Sequence, residues 1–147
     1  MDLFKVKDEI LAAFGNMRAM ERLHIDTNTE EKIKNISGTK IAESTEGQFW
    51  VSFQELNGFL LLNAIILGHS DLKTFDGIKL LLLTAEYEIE IESDDKEIVS
   101  NFSNISSTWI TKVSFIIDHK KREIIENGNV DAVEYYFKNK VTKLYKI

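Results

Sequence analysis

The sequence predicts an α+β fold: a single domain, 1–147, with a curved antiparallel β-meander of about six or seven strands and an N-terminal and a C-terminal helix packed on it. Three observations carry this. Apolar residues recur at three- and four-residue spacing at both ends of the chain. Between them, from Phe49 onward, the period changes to two. Paired turn residues, Asn57-Gly58, Asp76-Gly77 and Asp94-Asp95, punctuate that middle region as hairpins would. A chain of 147 residues, 44% hydrophobic and 29% charged, can bury one core without staples.

Residues 1–24 read as an amphipathic helix. Leu3, Val6, Ile10, Phe14, Met17 and Leu23 share one stripe, and Asp2 stands at the N-cap position. Residues 25–48 are a polar connection in which Ile33, Ile36 and Ile41 can anchor a short helix capped by Thr29.

The sheet is expected over 49–127. Its first hairpin is QFWVSFQEL-NG-FLLLNAIIL, with a type I′ turn at Asn57-Gly58. That loop sets Phe53 opposite Leu62, Val51 opposite Ala64 and Phe49 opposite Ile66, an apolar face, with Ser52 opposite Asn63 behind it. Ile78 to Ser93 reads as one strand after the Asp76-Gly77 turn. Its odd positions are apolar throughout, and its even positions change from Leu80 and Leu82 to glutamates. Asp94-Asp95 then closes a hairpin placing Ile91 opposite Ile98 and Glu92 opposite Glu97. A long strand follows with Trp109, Thr111, Val113, Phe115 and Ile117 on one side. His119 to Arg122 forms a basic turn, and Ile124-Ile125 a short return strand. Asn129 caps the final helix, 129–146, with Val130, Val133, Phe137, Val141 and Leu144 as its stripe.

Composition narrows function by exclusion. Without cysteine there is no disulfide, thiolate metal site or cysteine nucleophile, and His24, His69 and His119 show no ligand spacing. No metal or cofactor is expected. The formal net charge of −6 argues against nucleic acid as a partner. It is uneven: residues 1–100 hold 19 acidic and 10 basic groups, residues 101–147 hold 5 and 8. No signal peptide or membrane span is recognisable, so a cytoplasmic location and no membrane partner are expected. Seven scattered glycines form no phosphate-binding loop. His69-Ser70-Asp71 holds the residue types of a hydrolase triad, but consecutive residues cannot relay a proton, and the run reads as a turn. No catalytic residue is assigned.

Two constellations remain. Seven of the twelve residues from Glu86 to Glu97 are acidic, and Glu86, Glu88, Glu90 and Glu92 occupy every second position. Same-face strand residues stand about 7 Å apart, too far for one strand to wrap a calcium ion. Four alike on a wet face also lack the contrast that splits an acid/base pair. The ladder suits a solvated edge, or a docking surface for a basic protein or a second copy of the chain. The other constellation, Trp50, Ser52, Gln54 and Asn63 with Trp109 as a second wall, offers an aromatic surface and polar groups for a small apolar ligand. The sequence thus favours a non-enzymatic, acidic protein-interaction domain, with a carrier of a small apolar molecule or lipid as the alternative.

Overall fold

In the computed structural model, residues 20, 21 and 23–147 are described. The expected N-terminal helix over 1–24 lies almost wholly outside them. Residues 23–34 are helical (α1). Residues 25–34 fall in the polar connection, where a short helix was one expectation, but the helix begins before Thr29, which is not its cap. Thr29 lies inside the helix, buried, with its hydroxyl donating to the Ile25 carbonyl at 3.0 Å.

Nine strands follow, two or three more than the sequence suggested. They are β1 Thr39–Ser44, β2 Gly47–Leu56, β3 Phe59–Gly68, β4 Lys79–Thr84, β5 Glu88–Glu92, β6 Ser100–Ser103, β7 Thr108–Ile117, β8 Val130–Phe137 and β9 Lys140–Lys146. A second helix, α2 His119–Glu126, separates β7 from β8. All pair antiparallel in one sheet of order β5-β4-β8-β9-β1-β2-β3-β7-β6. The sheet curls into a half-barrel, bringing the end of β5 near β7. There the Asp94 N–H donates to the Ser114 carbonyl at 2.8 Å, and the Ser114 N–H to Asp95 Oδ2 at 3.1 Å.

The first hairpin has the register its turn dictates: Phe53 faces Leu62, Val51 faces Ala64, Phe49 faces Ile66 and Ser52 faces Asn63. Asn57 and Gly58 take φ of 51° and 81°, the type I′ values. β7 adds Val113, Phe115 and Ile117 to the same inner face. Phe49, Leu62, Ile66, Leu80, Leu82, Phe115, Val133 and Leu144 fill the curl, each almost fully buried. Each such side chain contributes about 1.5–3 kcal/mol over an exposed one.

Four expectations are corrected. The C-terminal helix over 129–146 is the hairpin β8–β9. Spacings of three and four through Val130, Val133 and Phe137 mimic a helix, but Val, Tyr and Phe fit a pleated surface better. Val133, Tyr135 and Leu144 point inward, and the turn is Lys138-Asn139, with Lys138 at φ 54°. The basic turn and return strand at 119–125 are instead α2. The Asp118 carboxylate caps it by accepting from the Lys121 N–H at 2.8 Å. Gly128, at φ 70°, ends it, with Gly128 N–H bonded to Ile125 O and Asn129 N–H to Ile124 O.

Third, Ile78 to Ser93 is not one strand but mainly the hairpin β4–β5. Its two-residue loop, Ala85-Glu86, carries no glycine; the Thr84 hydroxyl donates to Tyr87 O at 2.8 Å and accepts from Tyr87 N–H at 3.0 Å. The reversal pairs Leu82 with Ile89 and Leu80 with Ile91, so even positions of β4 and odd positions of β5 point inward together. Fourth, Asp94-Asp95 does not join neighbouring strands: β5 and β6 form opposite ends of the sheet. Ile98 bridges Thr74 instead, and Asp76-Gly77 turns into β4 without a preceding paired strand. No helix among the described residues is long and apolar enough to cross a membrane.

Candidate interaction surface

The glutamates of the ladder fall on β5, a terminal strand with β4 as its sheet neighbour. Ile89 and Ile91 are buried inward, while Glu88, Glu90 and Glu92 stand exposed on the outer face. Glu86 is in the Ala85-Glu86 loop, so the reading of four equivalent glutamates on one strand becomes three on β5 and one at its turn.

The outer face beside them is wired across strands. Glu90 pairs with Lys79 on β4 at 2.7 Å. Lys79 lies over the Tyr136 ring of β8 at 5.2 Å, and Tyr136 donates its hydroxyl to Glu134 at 3.1 Å. Glu134 stands 3.9 Å from Lys143 on β9, and Lys143 lies over Tyr145 at 5.4 Å. The hydrogen bond to Glu90 raises the Lys79 ammonium above its ordinary pKa, and the bond to Glu134 raises the Tyr136 phenol. Glu90 thus has an ion-pair partner in Lys79. Among the described residues no Lys or Arg reaches ion-pair distance of Glu86, Glu88 or Glu92. No three of His, Asp and Glu among the described residues gather as metal ligands would.

The main chain of β5 adds a second property. Ser93 N–H donates to Ile78 O at 2.9 Å at one end of the hairpin, and Thr84 N–H to Tyr87 O at 2.9 Å at the other. Bonded and non-bonded pairs alternate in an antiparallel ladder. Leu80/Ile91 and Leu82/Ile89 are therefore the bonded pairs between these ends, and the N–H and C=O groups of Glu88, Glu90 and Glu92 turn toward the outer edge.

The tryptophan constellation is divided by the sheet. Trp50, Ser52, Gln54 and Asn63 share the outer face of β2 and β3. There Trp50 Nε1 donates to Gln48 Oε1 at 2.9 Å, Asn63 Nδ2 to Gln54 Oε1 at 3.2 Å, and Ser114 Oγ to Asn63 Oδ1 at 2.9 Å. Trp109 has the parity of Val113 and points to the other face, against Phe102 at 4.9 Å. The two indoles thus do not form one wall. His69-Ser70-Asp71 is a bend, with Asp71 Oδ1 accepting the Lys73 N–H.

Two features had no sequence signal strong enough to find them. One is a hollow of about 340 Å³ beside α2, with Ile41, Val51, Phe53 and Ile125 among its walls. The other is the seat of α1. Buried Glu30 accepts the hydroxyls of Ser103 at 2.8 Å and Ser106 at 2.6 Å, and Asp26 accepts Asn104 Nδ2 at 3.1 Å. Those hydroxyl bonds hold the Glu30 carboxyl below its ordinary pKa. An i, i+4 pair of acids facing polar residues some 75 positions away leaves no local pattern. The sequence gives no significant match to known family models, to curated proteins or to solved structures.

Proposed function

We propose that this protein is a non-enzymatic interaction domain that receives a basic protein segment on the acidic face of β5. The observation that carries the reading is the combination at one strand of a sheet edge with carboxylates, Glu88 and Glu92, that lie outside ion-pair distance of every described Lys and Arg. Summed like charges on an exposed strand attract a basic partner and speed its encounter. A fully solvated edge would use the same charges and present the same main-chain groups, so binding itself is what separates the two. The test is an array of peptides graded in net charge, probed with the wild type and with Glu88→Lys/Glu92→Lys. Glu90 is left alone to keep its pair with Lys79. Retention of basic peptides by the wild type and their loss in the variant is the expected result. Equal retention by both proteins contradicts the reading.

The carrier reading is favoured by one observation, the apolar hollow beside α2. Its volume lies at the lower end of the range for small-ligand sites. Ile125→Trp should fill it. A decanoate titration followed by thermal shift should then respond in the wild type and not in the variant; a flat wild-type titration removes that reading.

A further inference from the structure

We propose that β5 takes its partner by strand addition. A short extended segment alternating Lys or Arg with apolar residues pairs antiparallel with the outer edge of Glu88–Glu92, which no other described strand pairs. This inference rests on the docking reading and adds to it a binding mode and a recognition pattern.

The geometry supplies the mode. Glu88, Glu90 and Glu92 direct their main-chain N–H and C=O groups to the edge, as the alternation of bonded pairs requires. Asp94 is the next residue in that series, and its N–H already donates across the edge to Ser114 O. The edge thus pairs where a strand is present, and the contact with β7 sets one limit of the open stretch. The other limit is the Ala85-Glu86 loop. About five residues remain, enough for a short strand.

The pattern follows from the period of two. Outer-face positions of an added strand meet the carboxylates of Glu88, Glu90 and Glu92 at cross-strand distance, where opposite charge is favourable. The positions between continue the inner row begun by Ile89 and Ile91 and take apolar side chains. A second copy of β5 is disfavoured as occupant, because glutamate would meet glutamate. An anionic lipid surface is repelled by the same charges. Strand addition supplies affinity through main-chain bonds and specificity through alternate side chains.

The test uses labelled acetyl-Lys-Val-Lys-Val-Lys-amide, titrated into the full chain at low salt by fluorescence anisotropy. Two further versions are N-methylated on the backbone, one at the lysines and one at the valines. A lysine opposite a glutamate exchanges both main-chain bonds with it, so its amide is needed. The parent and the valine-methylated peptide should bind alike. The lysine-methylated peptide should bind roughly tenfold more weakly or worse, as loss of the edge bonds requires. Both methylated peptides binding like the parent would overturn strand addition and leave docking by charge intact. No binding by any peptide, or undiminished binding to Glu88→Gln/Glu92→Gln, would overturn both.

Discussion

Leucines 81 and 82 are neighbours on β4, and their truncation separates the hairpin from the straight strand that the sequence pattern suggests. In the hairpin Leu82 points inward beside Ile89 and is fully buried, while Leu81 lies on the outer face, half-buried, opposite Glu90 and Glu134. Leu82→Ala opens a cavity in a packed core and should cost about 3–5 kcal/mol. In a chain of this length each kcal/mol lowers Tm by about 2–4 °C, so a fall of about 6–20 °C is expected. Leu81→Ala removes a side chain from a surface that solvent can refill. It should cost about 1 kcal/mol and a few degrees. A single strand from Ile78 to Ser93 would give Leu81 the parity of Ile89 and Ile91 and reverse the order. Thermal unfolding of the two variants, followed by circular dichroism at matched concentration, decides between them. A larger loss for Leu81→Ala would refute the hairpin parity and the edge built on it.

Further outcomes follow from other contacts. Asp118→Ala removes the cap of α2 and should cost about 1 kcal/mol, read as a lower urea midpoint at unchanged slope. Glu30 has a folded pKa below its ordinary 4.5, so its stabilisation is complete above that value and drains away as pH falls through the folded one. Wild-type stability should therefore fall more steeply below about pH 4.5 than that of Glu30→Gln, with the two curves converging in acid; parallel curves would contradict the carboxylate seat. Gly38 sits at φ 111°, and a β-carbon there would collide with the Val51 carbonyl oxygen. Gly38→Ala should lower Tm by several degrees, since backbone must move to admit it.

The parts of the fold legible in the sequence are those whose local chemistry and global pairing agree. Asn57-Gly58 fixes a two-residue loop, and alternation through Phe49, Val51 and Phe53 leaves one register. β7 likewise alternates cleanly from Trp109 to Ile117. Where turns are made by ordinary residues, the reading fails. Ala85-Glu86 turns because Thr84 bonds across it, and Lys138-Asn139 because Lys138 accepts a left-handed conformation. Neither carries the glycine that usually announces a hairpin. A missed turn inverts parity beyond it, so one error at Ala85 moved the even-numbered leucines to the wrong face. Reading β8 and β9 as a helix likewise hides the Tyr136 ring that Lys79 lies over. The acidic ladder was visible as composition. Its placement at a sheet terminus was not, because strand order rests on pairings between β4 and β8 some fifty residues apart.

Amide hydrogen exchange across β5, with and without the Lys-Val-Lys-Val-Lys peptide, reads the edge amides one by one. In the free protein the Ile89 and Ile91 amides should be protected by β4, and those of Glu88, Glu90 and Glu92 should exchange quickly. Peptide should slow the three glutamate amides while leaving Ile89 and Ile91 little changed. Glutamate amides already protected in the free protein, or unmoved at peptide saturation, would contradict an open acidic edge that binds by strand addition.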